Sequence, residues 1–178
     1  MKDDSLTKLL WIDMEMTGLD VEIEVPIEVA AVVTDMQLNQ LGTPYHAVIR
    51  QPDDFIENMD DWNKTHHSQS GLLDRIPKGK QPDLVEKELC QFIDDHFDGQ
   101  KAILCGNSIF QDRKFIDKYM PKVSDRLHYR LLDVTSWKII MENCFDVSHD
   151  KKDAHRATDD IFESIEELKT YLKHVQKI

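Results

Sequence analysis

Asp13 and Glu15, two residues apart in WIDMEMTG, are the first side chains of this sequence placed for chemistry rather than packing. A strand period of two sets Trp11, Asp13 and Glu15 on one face and Leu10, Ile12, Met14 and Met16 on the other. Two like charges roughly 6–7 Å apart along a strand repel and lose hydration, so something must offset that cost. A third carboxylate, Asp112, falls in the middle of an apolar helical stripe of Phe115, Ile116 and Tyr119. A fourth, Asp160, borders the stripe of Ile161, Ile165, Leu168 and Leu172, with small neighbours Ala157 and Ser164 one turn away. Its neighbour Asp159 projects into water instead. His155 stands five residues before Asp160, on the loop above that carboxylate. Four ionised carboxylates cannot share a pocket without protonation or cations. A hard-oxygen set suits Mg²⁺ or Mn²⁺ better than zinc. Two such ions sit about 3.5–4 Å apart in phosphoryl-transfer sites, one activating water and one stabilising the leaving oxygen. His155, with an intrinsic pKa of about 6.5, would take the water's proton.

The elements that must hold these groups follow from hydropathy patterning. Strands are expected over Lys8–Met16, 27–35 and 43–50, the last two joined by a hairpin turn at 39–42. A polar stretch follows. Helical spacing then covers 83–97, a short buried strand 102–105, and a turn 106–108. A helix over 110–120 is closed by Pro121, a strand follows at 131–134, and helices cover 135–144 and 156–174. Three consecutive strands and then alternating helix and strand predict one α/β domain over residues 1–178. The expected architecture is a ribonuclease H-like mixed five-stranded sheet flanked by helices.

Composition narrows the partners. The chain has 178 residues, 40% of them hydrophobic, enough for one full core. Its net charge of −12 argues against a binder of long nucleic acid, which needs many basic residues at the phosphates. A short nucleic acid needs few such partners, and metal ions can supply positive charge. The opening MKDDSLTKLLWIDM is too acidic, and its apolar stretch too short, for a signal peptide, and no later segment reaches membrane-span length. Cys90, Cys105 and Cys144 are odd in number and scattered, as expected of small buried thiols in a reducing cytoplasm.

The set D-x-E at Asp13 and Glu15, the Asp of GNSIFQDR and H-x-x-x-x-D from His155 to Asp160 resembles the DEDDh 3′-to-5′ exonucleases. WIDMEMTGLD, MDDWN, SGL, GNSIFQDRKF, KYMP, HYRLLDV and HRATDDIFESIEEL, in that order, resemble the oligoribonuclease branch of that family almost end to end. The resemblance implies a ribonuclease H-like fold, two divalent ions and release of 5′-mononucleotides from very short RNAs, down to dinucleotides. It also implies a homodimer whose sites borrow residues across the interface. By motif, Leu19 would wedge against one base and Trp62 lie near the other. His67, Ser70, Ser108, Tyr129 and Arg130 would cap the terminal phosphate, Tyr129 and Arg130 coming from the partner subunit. Phe110 and the acidic 21–28 segment depart from the branch's usual pattern without touching the five catalytic positions. A DNA proofreading exonuclease and a catalytically silent nucleotide-binding module are the rival readings. MDDWN and HYR argue against the first, and the filled catalytic positions argue against the second.

Overall fold

The computed structural model describes residues 7–149 and 157–175. Its strands are β1 (Lys8–Met16), β2 (Pro26–Asp35), β3 (Gln40–Val48), β4 (Ala102–Gly106) and β5 (Leu127–Asp133). They form one mixed sheet in the order β3-β2-β1-β4-β5. β1 pairs antiparallel with β2 and parallel with β4, while β4 pairs parallel with β5. This is the five-stranded mixed sheet expected from the sequence. Its helices are α1 (Asp53–Glu57), α2 (Asp61–Gln69), α3 (Pro82–Phe97), α4 (Phe110–Tyr119), α5 (Pro121–Ser124), α6 (Val134–Phe145) and α7 (Ala157–Val175). A 3₁₀ turn spans Ile76–Lys78.

The alternation along β1 divides the interior in two. Leu10, Ile12, Met14 and Met16 enter a core with residues of α3 and α4, including Leu89, Phe97, Phe115 and Ile116. Leu9 and Trp11 face the other way, into a core with Ile161, Ile165, Leu168 and Tyr171 of α7. The Trp11 indole N–H donates to Thr34 Oγ1 at 2.9 Å, which satisfies the ring's polar atom inside that core. Asp13 and Glu15 continue this second face past the apolar part, where α7 begins.

Several boundaries differ from expectation for identifiable reasons. The hairpin between β2 and β3 turns at residues 36–39, earlier than 39–42, because Asp35 caps it. The Asp35 carboxylate accepts from the amides of Gln37 and Asn39, both at 2.9 Å, and Leu38 takes the left-handed conformation at φ 65°. Gly42 lies within β3. Pro121 does not merely end α4; it opens α5 at a position where a missing N–H costs nothing. β5 starts four residues before the expected 131, at Leu127. α1 and α2 occupy the polar stretch that carried no helical signal: α1 buries none of its residues, and α2 buries only His67. Cys90 and Cys105 are buried and free, whereas Cys144, expected inside, is exposed.

Candidate active site

β1 extends past its parallel neighbour. Trp11 pairs with Cys105, and β4 stops one residue later at Gly106, so the Met14 amide lies beyond the end of β4. The Asp112 carboxylate occupies that position and accepts from Met14 N–H at 3.0 Å through Oδ1. Gly106 allows the close approach of the chain that makes this possible. A Cβ there would stand 3.0 Å from the Ile12 carbonyl oxygen and 2.9 Å from Ile109 Cδ1. Asp112 is buried with Phe115 and Ile116 on the inner face of α4, as the interrupted stripe required.

The carboxylates converge. One ligand oxygen each from Asp13, Glu15 and Asp160 lies within 4.8 Å of the others. Asp112 adds a fourth charge. Burial holds Asp13 well above the usual carboxylate range, reinforced by repulsion from Asp112, Glu15 and Asp160. Burial also pushes Glu15 up to about 7, with Glu28 and Asp160 adding repulsion. Asp112 rises to about 7 as well, because burial outweighs the hydrogen bonds it accepts from backbone amides. Asp160 comes from the first turn of α7, half-exposed, beside buried Ala157 and Ser164, while Asp159 is exposed. The Ser164 hydroxyl donates to the Asp160 carbonyl at 2.9 Å and accepts from Asn107 Nδ2 at 2.8 Å, tying α7 to the turn after β4.

His67 on α2 is buried against this group. Its Nε2 lies 3.0 Å from the Met16 carbonyl, which only accepts, so that nitrogen carries a proton. Nδ1 points toward Glu15, 3.9 Å from Oε2. Among the described residues it is the buried side-chain polar atom without a hydrogen-bond partner. Burial lowers the ring's pKa, so the bare Nδ1 lone pair faces the acidic group. These residues fit divalent cations. The donor set is all hard oxygen, its carboxylates resist ionisation when no cation is near, and an orphaned polar atom stands beside it. The acidic cluster is consistent with divalent metal use.

The remaining expected residues divide into those near the carboxylates and those apart from them. Leu19 is 74% exposed at the tip of a loop that leaves β1. The Thr17 hydroxyl bonds the Glu24 carboxylate and accepts from the Val25 amide, closing the base of this loop. Gln111 Nε2, next to Asp112, donates to the Leu19 carbonyl at 2.5 Å and fixes its tip against α4. Trp62, 70% exposed, lies stacked on His66, with centroids 5.0 Å apart and planes 7° from parallel. Ser70 follows α2, its hydroxyl donating to the His67 carbonyl at 3.2 Å. Ser108 adopts φ 49°, with its amide donating to Asp133 Oδ1 at 3.1 Å and Thr135 Oγ1 at 2.9 Å. Tyr129 and Arg130 stand on the outer strand β5, the guanidinium 5.3 Å above the ring. The sheet registers and strand spacings place Tyr129 roughly 16 Å from Asp13, so one chain does not bring the two together. His155 lies outside the described residues. Glu28 was not singled out in the sequence, although a charge within the apolar run IEVAAVVTD is the same signal that marked Asp13.

A mixed sheet with carboxylates gathered at the end of its central strand defines a nuclease of the ribonuclease H-like exonuclease class. The RNase_T exonuclease family model matches residues 10–168. An oligoribonuclease of Francisella tularensis subsp. holarctica is 43% identical over 176 residues, covering 98% of this chain and 99% of that one. An oligoribonuclease of Bordetella pertussis is 42% identical over 175 residues, covering 96% and 97%. The chain belongs to the oligoribonucleases of this exonuclease family. In fold it is similar to E. coli exonuclease I in its zinc-bound complex with single-stranded DNA, with TM-score 0.75 at 14% identity. Exonuclease I of Methylocaldum szegediense gives 0.69 at 13%. Both matches cover 96% of this chain but only 41% of the exonuclease I chain, so the likeness extends over about two fifths of those proteins. No helix among the described residues is long and apolar enough to cross a membrane.

Proposed function

We propose that this chain is a 3′-to-5′ exoribonuclease that releases 5′-mononucleotides from RNA of di- to pentanucleotide length. The observation that carries the reading is the convergence of Asp13, Glu15 and Asp160, with Asp112 repelling Asp13 from beside them. These four carboxylates would hold two divalent ions, Mg²⁺ or Mn²⁺. When bound, such ions supply positive charge to a scissile phosphodiester and make water a stronger nucleophile near neutrality. The Met14 amide keeps Asp112 in one orientation, and Asn107 and Ser164 hold the first turns of α7 against the end of β4. His155 removes the proton of the attacking water.

Leu19 and Trp62 receive the bases. Stacking on an aromatic face is worth about 1–3 kcal/mol per base and does not depend on sequence. His67, Ser70 and Ser108 cap the terminal phosphate, together with Tyr129 and Arg130 contributed by the other protomer of a homodimer. The distance of β5 from the carboxylates supports this division, as do exposed Tyr129, Ile139 and Ile140 on β5 and α6. A net charge of −12 favours short substrates, which need few phosphate contacts. The oligoribonuclease relatives support RNA as the substrate. The protein acts in the cytoplasm, as a single exonuclease domain.

A length series of 5′-labelled RNA, from dinucleotide to long transcript, at fixed Mg²⁺ or Mn²⁺ tests the reading. Turnover of the dinucleotide is expected to exceed that of the long RNA by about tenfold or more in kcat/KM. Equal or faster cleavage of long RNA would overturn the substrate assignment. Deoxyribodinucleotides hydrolysed as fast as ribodinucleotides would overturn the choice of RNA.

A further inference from the structure

Glu28 is a charged side chain only 2% exposed, inside a strand whose other residues are buried up to its last. In the antiparallel register it stands directly opposite Glu15. An isolated carboxylate so placed would be expelled or protonated. Instead its Oε1 meets His46 Nε2 of β3 at 2.8 Å and Arg75 Nη1 at 3.2 Å. It also accepts from the Ala157 amide, which opens α7. Arg75 in turn donates from Nε to the Gly71 carbonyl at 3.3 Å, in the turn that follows α2. Glu28, His46 and Arg75 line a cavity of about 190 Å³ together with Thr158 and Asp159, the two residues before Asp160.

One carboxylate therefore joins four segments: β2, β3, the corner behind α2 and the start of α7. Two of these deliver groups to the acidic cluster, Asp160 from α7 and His67 from α2. We infer that Glu28 is a positioning residue, clamping the first turn of α7 and the corner after α2 so that Asp160 and His67 stand in register with Glu15. Glu28 differs from the cluster in how its charge is balanced. The His46 ring and the Arg75 guanidinium stand against its carboxylate, while Glu15 opposite faces the oxygens of Asp13 and Asp160. The pair is asymmetric: Glu28 has the Arg75 guanidinium against it within the protein, and Glu15 has no Arg or Lys partner among the described residues. Groups that orient metal-binding side chains typically change metal affinity or activity by about 10- to 100-fold when removed.

This inference rests on the carboxylate cluster holding divalent ions for RNA hydrolysis. The test uses full-length protein carrying Glu28→Gln, Arg75→Met, Arg75→Lys or His46→Gln. Each variant is measured for Mn²⁺ binding by calorimetry, for Tm, and for kcat and KM on a ribodinucleotide. Glu28→Gln keeps the shape and is expected to weaken Mn²⁺ binding about tenfold or more, and to lower kcat similarly with KM within about twofold. Arg75→Met is expected to reproduce this loss, and Arg75→Lys, which keeps the cation, to recover part of it. His46→Gln changes a partner nearer the surface, and if Glu28→Gln does not fold the other variants carry the test. Mn²⁺ affinity and kcat within twofold of the parent in Glu28→Gln or, failing that, in Arg75→Met would overturn the role. So would a loss in Arg75→Met that Arg75→Lys does not relieve. Mn²⁺ binding weakened in Glu28→Gln relative to a parent protein that cleaves no ribodinucleotide would overturn the RNA reading and leave the positioning role standing.

Discussion

Asp112→Asn is expected to lower kcat by at least about a hundredfold while making the metal-free protein more stable near pH 8. The two effects have one origin. Asp112 is buried, and its pKa is raised to about 7, chiefly by that burial. Near pH 8 the folded state therefore holds a charge that the unfolded chain would hydrate. Asparagine keeps an oxygen to accept from the Met14 amide, so the local hydrogen bond at the end of β4 survives. It removes the charge that a cation would need. The gain in stability should be on the order of 1 kcal/mol, since protonation of neighbouring carboxylates already relieves part of the repulsion. Denaturation of parent and variant in EDTA, beside steady-state kinetics in Mg²⁺, measures both. A variant with full activity would remove Asp112 from the chemistry. One less stable than the parent at pH 8 would show that its charge is compensated within the protein.

Between about pH 5 and pH 8 the metal-free parent should become less stable as pH rises, and divalent ions should remove that slope. Glu15 and Asp112 have ordinary values of 4.5 and 3.8, and both reach about 7 in the folded protein. Between those limits the folded state binds more protons than the unfolded state. Stability from these groups is then fully present below the unfolded value and is lost as pH rises through the folded one. Glu28, Asp35, Asp60, Glu88 and Asp94 shift the opposite way but titrate below this window. His67, lowered by burial from 6.5, gains stability as pH rises toward 6.5 and offsets part of the loss in the lower half of the window. The expected loss is on the order of 2 kcal/mol across the window in EDTA. Added Mn²⁺ or Mg²⁺ should raise Tm little at pH 5 and most at pH 8, because ions bind the deprotonated carboxylates. Melting curves across pH, with and without ion, measure this. A metal-induced Tm shift that does not grow with pH would overturn the assignment of these carboxylates as ligands.

Asp13, Glu15 and Asp112 were legible in the sequence for one reason: each breaks a periodicity that its neighbours establish. A carboxylate on a strand face next to Trp11, or within a stripe ending in Tyr119, conflicts with burial, and the conflict is visible without coordinates. Asp160 was separable from Asp159 by helical angle alone, and the structure leaves Asp159 exposed and Asp160 half-exposed. α2 was not legible because a helix with a single buried side chain has no stripe to read. Its capping signal was present, since Asp60 accepts from the Asn63 amide at 2.8 Å, but lay inside a uniformly polar stretch. The hairpin was displaced toward Gly42 because glycine is the louder turn signal, whereas the Asp35 side chain does the capping. Glu28 carried the same readable signal as Asp13, a charge in an apolar run, but its role was not legible, because it ends the acidic 21–28 segment and its partners come from positions 46, 75 and 157. No local pattern joins those three.

The two faces of β1 are each sealed in a separate core, while a third and much smaller cluster of Ile27, Met59, Leu72 and Ile76 takes residues from either side of α2 and none from α2 itself. This sets up a difference in opening energies between β1 and α2. Amides of β1 near Ile12 and Asp13 are expected to exchange with solvent only on global unfolding, and those of α2, which buries only His67, through local opening, as hydrogen exchange would measure. Under the proposed function, the carboxylates on β1 would then act as a fixed anvil and Trp62 on α2 as a compliant one. Such an arrangement would let Trp62 give way to bases of different size without disturbing the geometry at the phosphodiester.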